Sequence, residues 1–111
     1  MKGKNYLSAR EEIRSLLRSG RRIHSDFFTL IARKNSLPHP RFVCIASKNV
    51  NKRAVRRNLL KRRAREWLRI HASALQPPMD IAVVFKKGAA DGGPNALSRA
   101  LTNSFEKIPG R

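Results

Sequence analysis

Residues 53–69 place Arg, Lys and one Asn at spacings that gather them on one side of a helix. At 100° per residue from Val55, the side chains of Asn58, Lys61, Arg62, Arg65 and Arg69 project between about 240° and 340°. Leu60, Ala64, Trp67, Leu68, His71 and Leu75 fall between about 120° and 220° on the same wheel. One side is built to pack and the other to meet a polyanion, because guanidinium forks match phosphate oxygens two at a time. A helix that only needed solvation would mix Glu with Lys in i,i+4 pairs contributing about 0.2–0.5 kcal/mol each. This one sets like charges side by side. Acids are absent from Phe27 through Arg65, and those 39 positions hold 12 Lys or Arg. A nucleic-acid partner is expected in preference to a membrane surface or plain solvation.

Residues for catalysis by the protein itself are scarce. His24, His39 and His71 are scattered, and His71 falls on the packing stripe. Glu11 and Glu12 are adjacent in a first helical turn, where the helix dipole favours acids, and the other five acids are dispersed. Metal-dependent nucleases cluster carboxylates around one or two ions, so a protein-only nuclease is not expected and no metal ligands are assigned. Cys44 is the only cysteine, which excludes an internal disulfide and a cysteine-rich zinc site. Its neighbours Val43 and Ile45 point to an inert, buried thiol.

The elements that must position the basic face follow from pattern and punctuation. With 111 residues, a net charge of +18 and 41% hydrophobic residues, the chain is expected to be one folded RNA-binding domain over 1–111 rather than a disordered polycation. Ser8-Ala-Arg-Glu11 has the form of a capping box, and Ile13, Leu16 and Leu17 give a first helix that stops at Gly20. Phe27 to Arg33 and Arg41 to Ser47 read as strands around the Pro38-His39-Pro40 turn, with a short strand at 21–25 ahead of them. Residues 53–75 lack Gly and Pro and read as a long helix ended by Pro77-Pro78. Asp80 to Lys86 is the last strand. Leu97, Leu101, Phe105 and Ile108 mark a closing helix that Asn95 could cap. The order α-β-β-β-α-β-α predicts an α+β fold, a single-layer sheet against helices. No apolar run reaches the roughly 20 residues that span a bilayer, and Met1-Lys-Gly-Lys opens no secretory signal, so a cytoplasmic location is expected.

RNA is favoured over DNA, since no helix-turn-helix, zinc ligand set or heptad zipper is present. Phe27, Phe28 and Phe42 lie in predicted strands, from which aromatics can stack on unpaired bases. If Phe28, Leu30 and Ala32 share the core face, then Phe27, Thr29, Ile31 and Arg33 point the other way.

Ser47-Lys48-Asn49 followed by Ala54-Val55-Arg56-Arg57-Asn58-Leu59-Leu60-Lys61-Arg62-Arg63-Ala64-Arg65-Glu66 resembles the signature of the bacterial ribonuclease P protein subunit, an Arg-Asn-Arg run followed by Lys-Arg and Arg-Glu. The likeness extends over most of the chain, with Leu7 to Gly20 as the family's first helix, Phe28 to Leu30 as its outer strand and Asp80 to Phe85 as its last strand. Leu59 stands where the family usually has the second Arg of its run, and Val43 and Ile45 where it tends to carry small or polar cleft residues.

The resemblance implies a ribosomal protein S5-like, mostly antiparallel sheet with a left-handed β-α-β crossover. It implies one protein joined to one catalytic RNA that removes the 5′ leader of precursor tRNA, with Mg2+ held by the RNA and none by the protein. Carried over by position, Arg57, Asn58, Lys61, Arg62 and Arg65 face the catalytic RNA. Ile13, Leu17, Thr29, Ile31 and Lys48 are the candidates for a cleft that holds the single-stranded leader. Charge and size alone would equally suit a structural RNA-binding protein such as a ribosomal protein. The Arg57-Asn58 and Lys61-Arg62 spacing behind Ser47-Lys48 is what separates the two readings.

Overall fold

A computed structural model describes residues 5–108; Met1 to Lys4, read above as carrying no signal sequence, lie outside them. The elements are α1 (Arg10–Ser19), β1 (Arg21–His24), β2 (Phe28–Lys34), β3 (Arg41–Ile45), α2 (Ala54–His71), β4 (Met79–Phe85) and α3 (Gly93–Glu106), with 3-10 turns at Ala72–Ala74 and Ala89–Gly92. The fold is α+β, in the expected order. Its sheet runs β1-β2-β4-β3, antiparallel except where β3 and β4 lie parallel and are joined through α2.

The expected outer position of Phe28 to Leu30 is corrected. β1 pairs along the free edge of β2, from Arg21 opposite Ala32 to His24 opposite Thr29, so β2 lies inside the sheet and β1 and β3 are its edges.

Alternation along the strands gives the sheet two covered faces. On one, Phe28, Leu30, Phe42, Cys44, Ile81, Val83 and Phe85 pack against Leu60, Ala64 and Leu68 of α2 and Leu97, Leu101 and Phe105 of α3. On the other, Ile31, Val43 and Ala82 pack against Leu16 of α1 and against Leu7. Gly20 lets α1 turn closely into β1, since a Cβ there would stand 2.5 Å from Ile31 Cγ2 and 2.8 Å from the Leu16 carbonyl oxygen.

Both proposed caps are replaced by other solutions. α1 begins after Ala9 with no side-chain cap, because Leu7 is pinned ahead of it: its amide donates to the Phe42 carbonyl at 3.0 Å and its side chain is buried. α3 begins after Gly92 with Pro94 in its first turn, so Asn95 lies inside the helix. Gly92 is held against the Phe27 ring, which a Cβ would approach to 2.6 Å. The long helix stops at His71 rather than reaching residue 75, and the 3-10 turn that follows delivers Leu75 to the core. β3 likewise ends at Ile45, two residues short of Ser47.

Cys44 is buried, and burial pushes its thiol from the ordinary 9.0 up to about 12, against the opposing pull of Arg65 and Lys61 on α2. The folded protein should resist alkylation at pH 8 and label fully in urea. Since the folded thiol holds its proton longer than the unfolded one, the stability this group contributes is present below pH 9 and lost as pH rises toward 12. Labelling of the native chain as fast as of the unfolded chain would contradict this placement.

Candidate nucleic-acid interface

Leu60, Ala64 and Leu68 recur every fourth residue and are the buried anchors of α2. Anchoring that stripe turns the opposite side outward. Asn58, Arg62 and Arg69 are exposed, and Lys61 and Arg65 are half-buried beside the β3 edge, close enough to act on Cys44. Val55, Arg56, Asn58, Leu59, Arg62 and Arg65 line an open concavity of about 400 Å³. Leu59 therefore supplies apolar lining to the basic face, and Arg56 is the additional cation beside it. The first turn of α2 contains no acid, so the positive end of the helix dipole adds to the local field.

Arg57 departs from the expected arrangement. Its Nη1 donates to the carbonyls of Asn51 at 2.8 Å and Lys52 at 3.1 Å, bracing the loop that leads into α2 instead of joining the outward row. Arg69 donates to Glu66 at 2.9 Å in an exposed i,i+3 pair, a contact of small energetic weight. His71 is exposed, but its ring stacks on half-buried Trp67 at 4.1 Å. Phe28 and Phe42 are core residues and Phe27 packs against the same core, so none of the three forms an open stacking platform.

The sheet face under α1 is ordered in three rows by strand register. Arg33, Asp80 and Arg41 form the first, Ile31, Ala82 and Val43 the second, and Thr29, Val84 and Ile45 the third. The first row is a polar clamp. Asp80, 2% exposed, accepts from Arg41 Nε at 3.0 Å, Arg41 Nη2 at 2.8 Å and Asn35 Nδ2 at 2.9 Å. Arg41 Nη1 reaches Glu12 at 3.1 Å, and Arg33 Nη1 donates to Ser15 and Ser19 at 2.8 and 2.6 Å. The hydrogen bond to Asp80 raises the pKa of Arg41 above its ordinary value, outweighing partial desolvation. One edge of α1 is thereby fastened to the sheet.

The second row is sealed beneath α1, and the third is open. Thr29, Val84 and Ile45 are half-buried, and so are Ile13 and Leu17 on the edge of α1 away from the clamp, where Arg22 Nη2 donates to the Leu17 carbonyl. Thr29 Oγ1 lies 3.1 Å from His24 Nδ1. Lys48 is exposed on the turn that follows the Ile45 end of β3. Ile31, expected to face a ligand, is 1% exposed, because the face that alternation assigns to it is the one α1 covers. Val43 is sealed in the same way. Val84 is absent from the expected cleft residues, although its place next to core-facing Val83 puts it on the same sheet face as Thr29 and Ile31.

Among the described residues, no group of three or more His, Cys, Asp and Glu side chains is placed to hold a metal ion, and no helix is long and apolar enough to cross a membrane.

Comparison with known proteins agrees with this geometry. The sequence model of the Ribonuclease P family matches residues 1–109. The ribonuclease P protein component of Desulfosudis oleivorans is 37% identical over 106 residues, covering 96% of this chain and 87% of that protein. That of Klebsiella pneumoniae is 51% identical over 80 residues, covering 71% of this chain and 66% of the relative. Against the component from Yersinia enterocolitica the matched stretch, 45% identical, spans 63% of the relative's length. The solved RNase P protein of Staphylococcus aureus superimposes with a TM-score of 0.86 over 97% of this chain and 98% of its own, at 21% identity. That of Thermotoga maritima gives 0.82 over 96% and 100%, at 23% identity, so both share the fold. With the family's pattern matched from residue 1 to residue 109 and the same architecture beneath it, this chain belongs to the bacterial ribonuclease P protein family.

Proposed function

We propose that this chain is the protein subunit of ribonuclease P. It joins a catalytic RNA in the cytoplasm, one protein per RNA, and assists removal of the 5′ leader from precursor tRNA, while the RNA performs the hydrolysis with Mg2+ that it holds. The observation that carries this reading is the separation of two surfaces. The outward row Asn58, Lys61, Arg62 and Arg65 on α2 suits a folded RNA backbone. The open row Thr29, Val84 and Ile45, beside Ile13 and Leu17 and near Lys48, suits an extended single strand. The acids nearest these surfaces have structural partners: Asp80 and Glu12 hold Arg41, and Glu66 holds Arg69.

The test is reconstitution with the organism's candidate catalytic RNA. The protein alone should leave precursor tRNA intact, and the complex should cleave it at lower Mg2+ than the RNA alone. Each phosphate contact contributes about 0.7 to the slope of log affinity against log salt on a single strand and about 0.9 on a duplex. Arg62→Ala and Arg65→Ala should each flatten the slope for catalytic RNA by about that amount. Unchanged slopes in both variants would remove α2 from the interface, and cleavage by RNA-free protein would overturn the assignment of the chemistry to RNA.

A further inference from the structure

On the far side of Arg62, α2 and the first turns of α3 enclose an apolar groove of about 320 Å³. Trp67 and Ile70 line its α2 wall, Pro94 and Ser98 its α3 wall above the buried Leu97 and Leu101, and Arg62 and Arg63 its rim. Three observations bear on what it holds. Ile70 is 60% exposed although α2 is already anchored by Leu60, Ala64 and Leu68, so its apolar surface is not needed for packing. The rim is cationic: among the described residues neither Arg62 nor Arg63 pairs with an acid, and the one acid at the groove, Glu66, is engaged by Arg69. Arg62 also lines the concavity of the basic face, so a chain running along that face reaches the groove without leaving this guanidinium.

We propose that this groove receives one unstacked base of the RNA partner, with the base against Trp67, Ile70 and Pro94 and its flanking phosphates on Arg62 and Arg63. The proposal rests on the RNA-binding reading above and adds a site to it. A base offers a flat apolar face and, on either side, an anion, which is the pattern the groove complements. A second copy of this chain would instead bring a protein of net charge +18 against a cationic rim.

Trp67 is the only tryptophan, so its emission reports on the groove directly. The full chain is titrated with a short single-stranded RNA and with an abasic oligonucleotide of equal length and charge. Saturable quenching by the base-containing strand, much reduced for the abasic one, is expected. Ile70→Ser, at an exposed position, should leave the melting temperature unchanged and weaken binding of catalytic RNA about fivefold or more, with no effect on the abasic strand. Arg65→Ala is the control on the basic face. If Ile70→Ser binds catalytic RNA like the wild type while Arg65→Ala weakens it, the groove is empty and the RNA-binding reading stands. If neither variant changes binding, both fail. Self-association that Ile70→Ser abolishes in sedimentation would make the groove a contact between copies and also overturn the proposal.

Discussion

Asp80→Ala is expected to lower the unfolding free energy by up to about 3 kcal/mol, the low end of the cost of removing one partner of a buried ion pair, because Arg41 keeps Glu12. Arg41 is 18% exposed in its side chain and meets Asp80 through two of its nitrogens. Removing the carboxylate leaves that guanidinium with only the exposed Glu12 and costs Asn35 the shorter of its two hydrogen bonds, the other going to the His39 carbonyl. Glu12→Gln gives the contrast, because Glu12 is 47% exposed and an ion pair in solvent contributes about 0 to 1 kcal/mol. Urea unfolding of the two variants side by side measures the difference. Equal, small losses would mean that Asp80 is not the fixed point of the clamp.

Ile31→Asp should fail to fold, whereas Ile45→Asp should fold and lose discrimination between precursor and mature tRNA. Ile31 lies beneath α1, so the substitution removes a buried side chain, costing about 2 to 5 kcal/mol, and puts an unpaired carboxylate in its place. Together these approach the whole stability of a small domain, about 5 to 15 kcal/mol. Ile45 is half-buried at the end of an edge strand on the open row, where a carboxylate stays hydrated and repels a passing phosphate backbone. Circular dichroism melts separate the two on folding. Paired titrations, one with catalytic RNA alone and one comparing precursor with mature tRNA on the assembled complex, then read Ile45→Asp. Equal weakening in both titrations would favour a single diffuse basic surface over two distinct ones.

Much of this architecture is legible from local signals. The stretch 53–71 advertises its helix through the absence of Gly and Pro, and the four-residue rhythm of Leu60, Ala64 and Leu68 fixes which side faces the core. Strand alternation likewise separates Leu30 from Ile31. Alternation cannot say whether the second face is covered, and here the answer depends on α1, distant in sequence from β4 and tied down by Arg41 and Arg33. That is why Ile31 was expected in a cleft and lies under a helix. Arg57 shows a similar limit: its side chain turns back to two carbonyls ahead of α2, a contact no helical wheel contains. Ser8 and Asn95 are good capping residues that the chain path leaves unused, since Leu7 is fixed on β3 and Gly92 on Phe27.

The lopsided fastening of α1 sets the direction in which this molecule can give. Along one edge Glu12, Ser15 and Ser19 are held by two arginines. Along the other, Ile13 and Leu17 rest on half-buried aliphatic side chains, and the hydrogen bond there is the one from Arg22 Nη2 to the Leu17 carbonyl. Local opening is expected to start at the weaker contacts, so hydrogen exchange should loosen α1 first on the side over Val84 and Ile45 and last beside the Arg41 and Arg33 clamp.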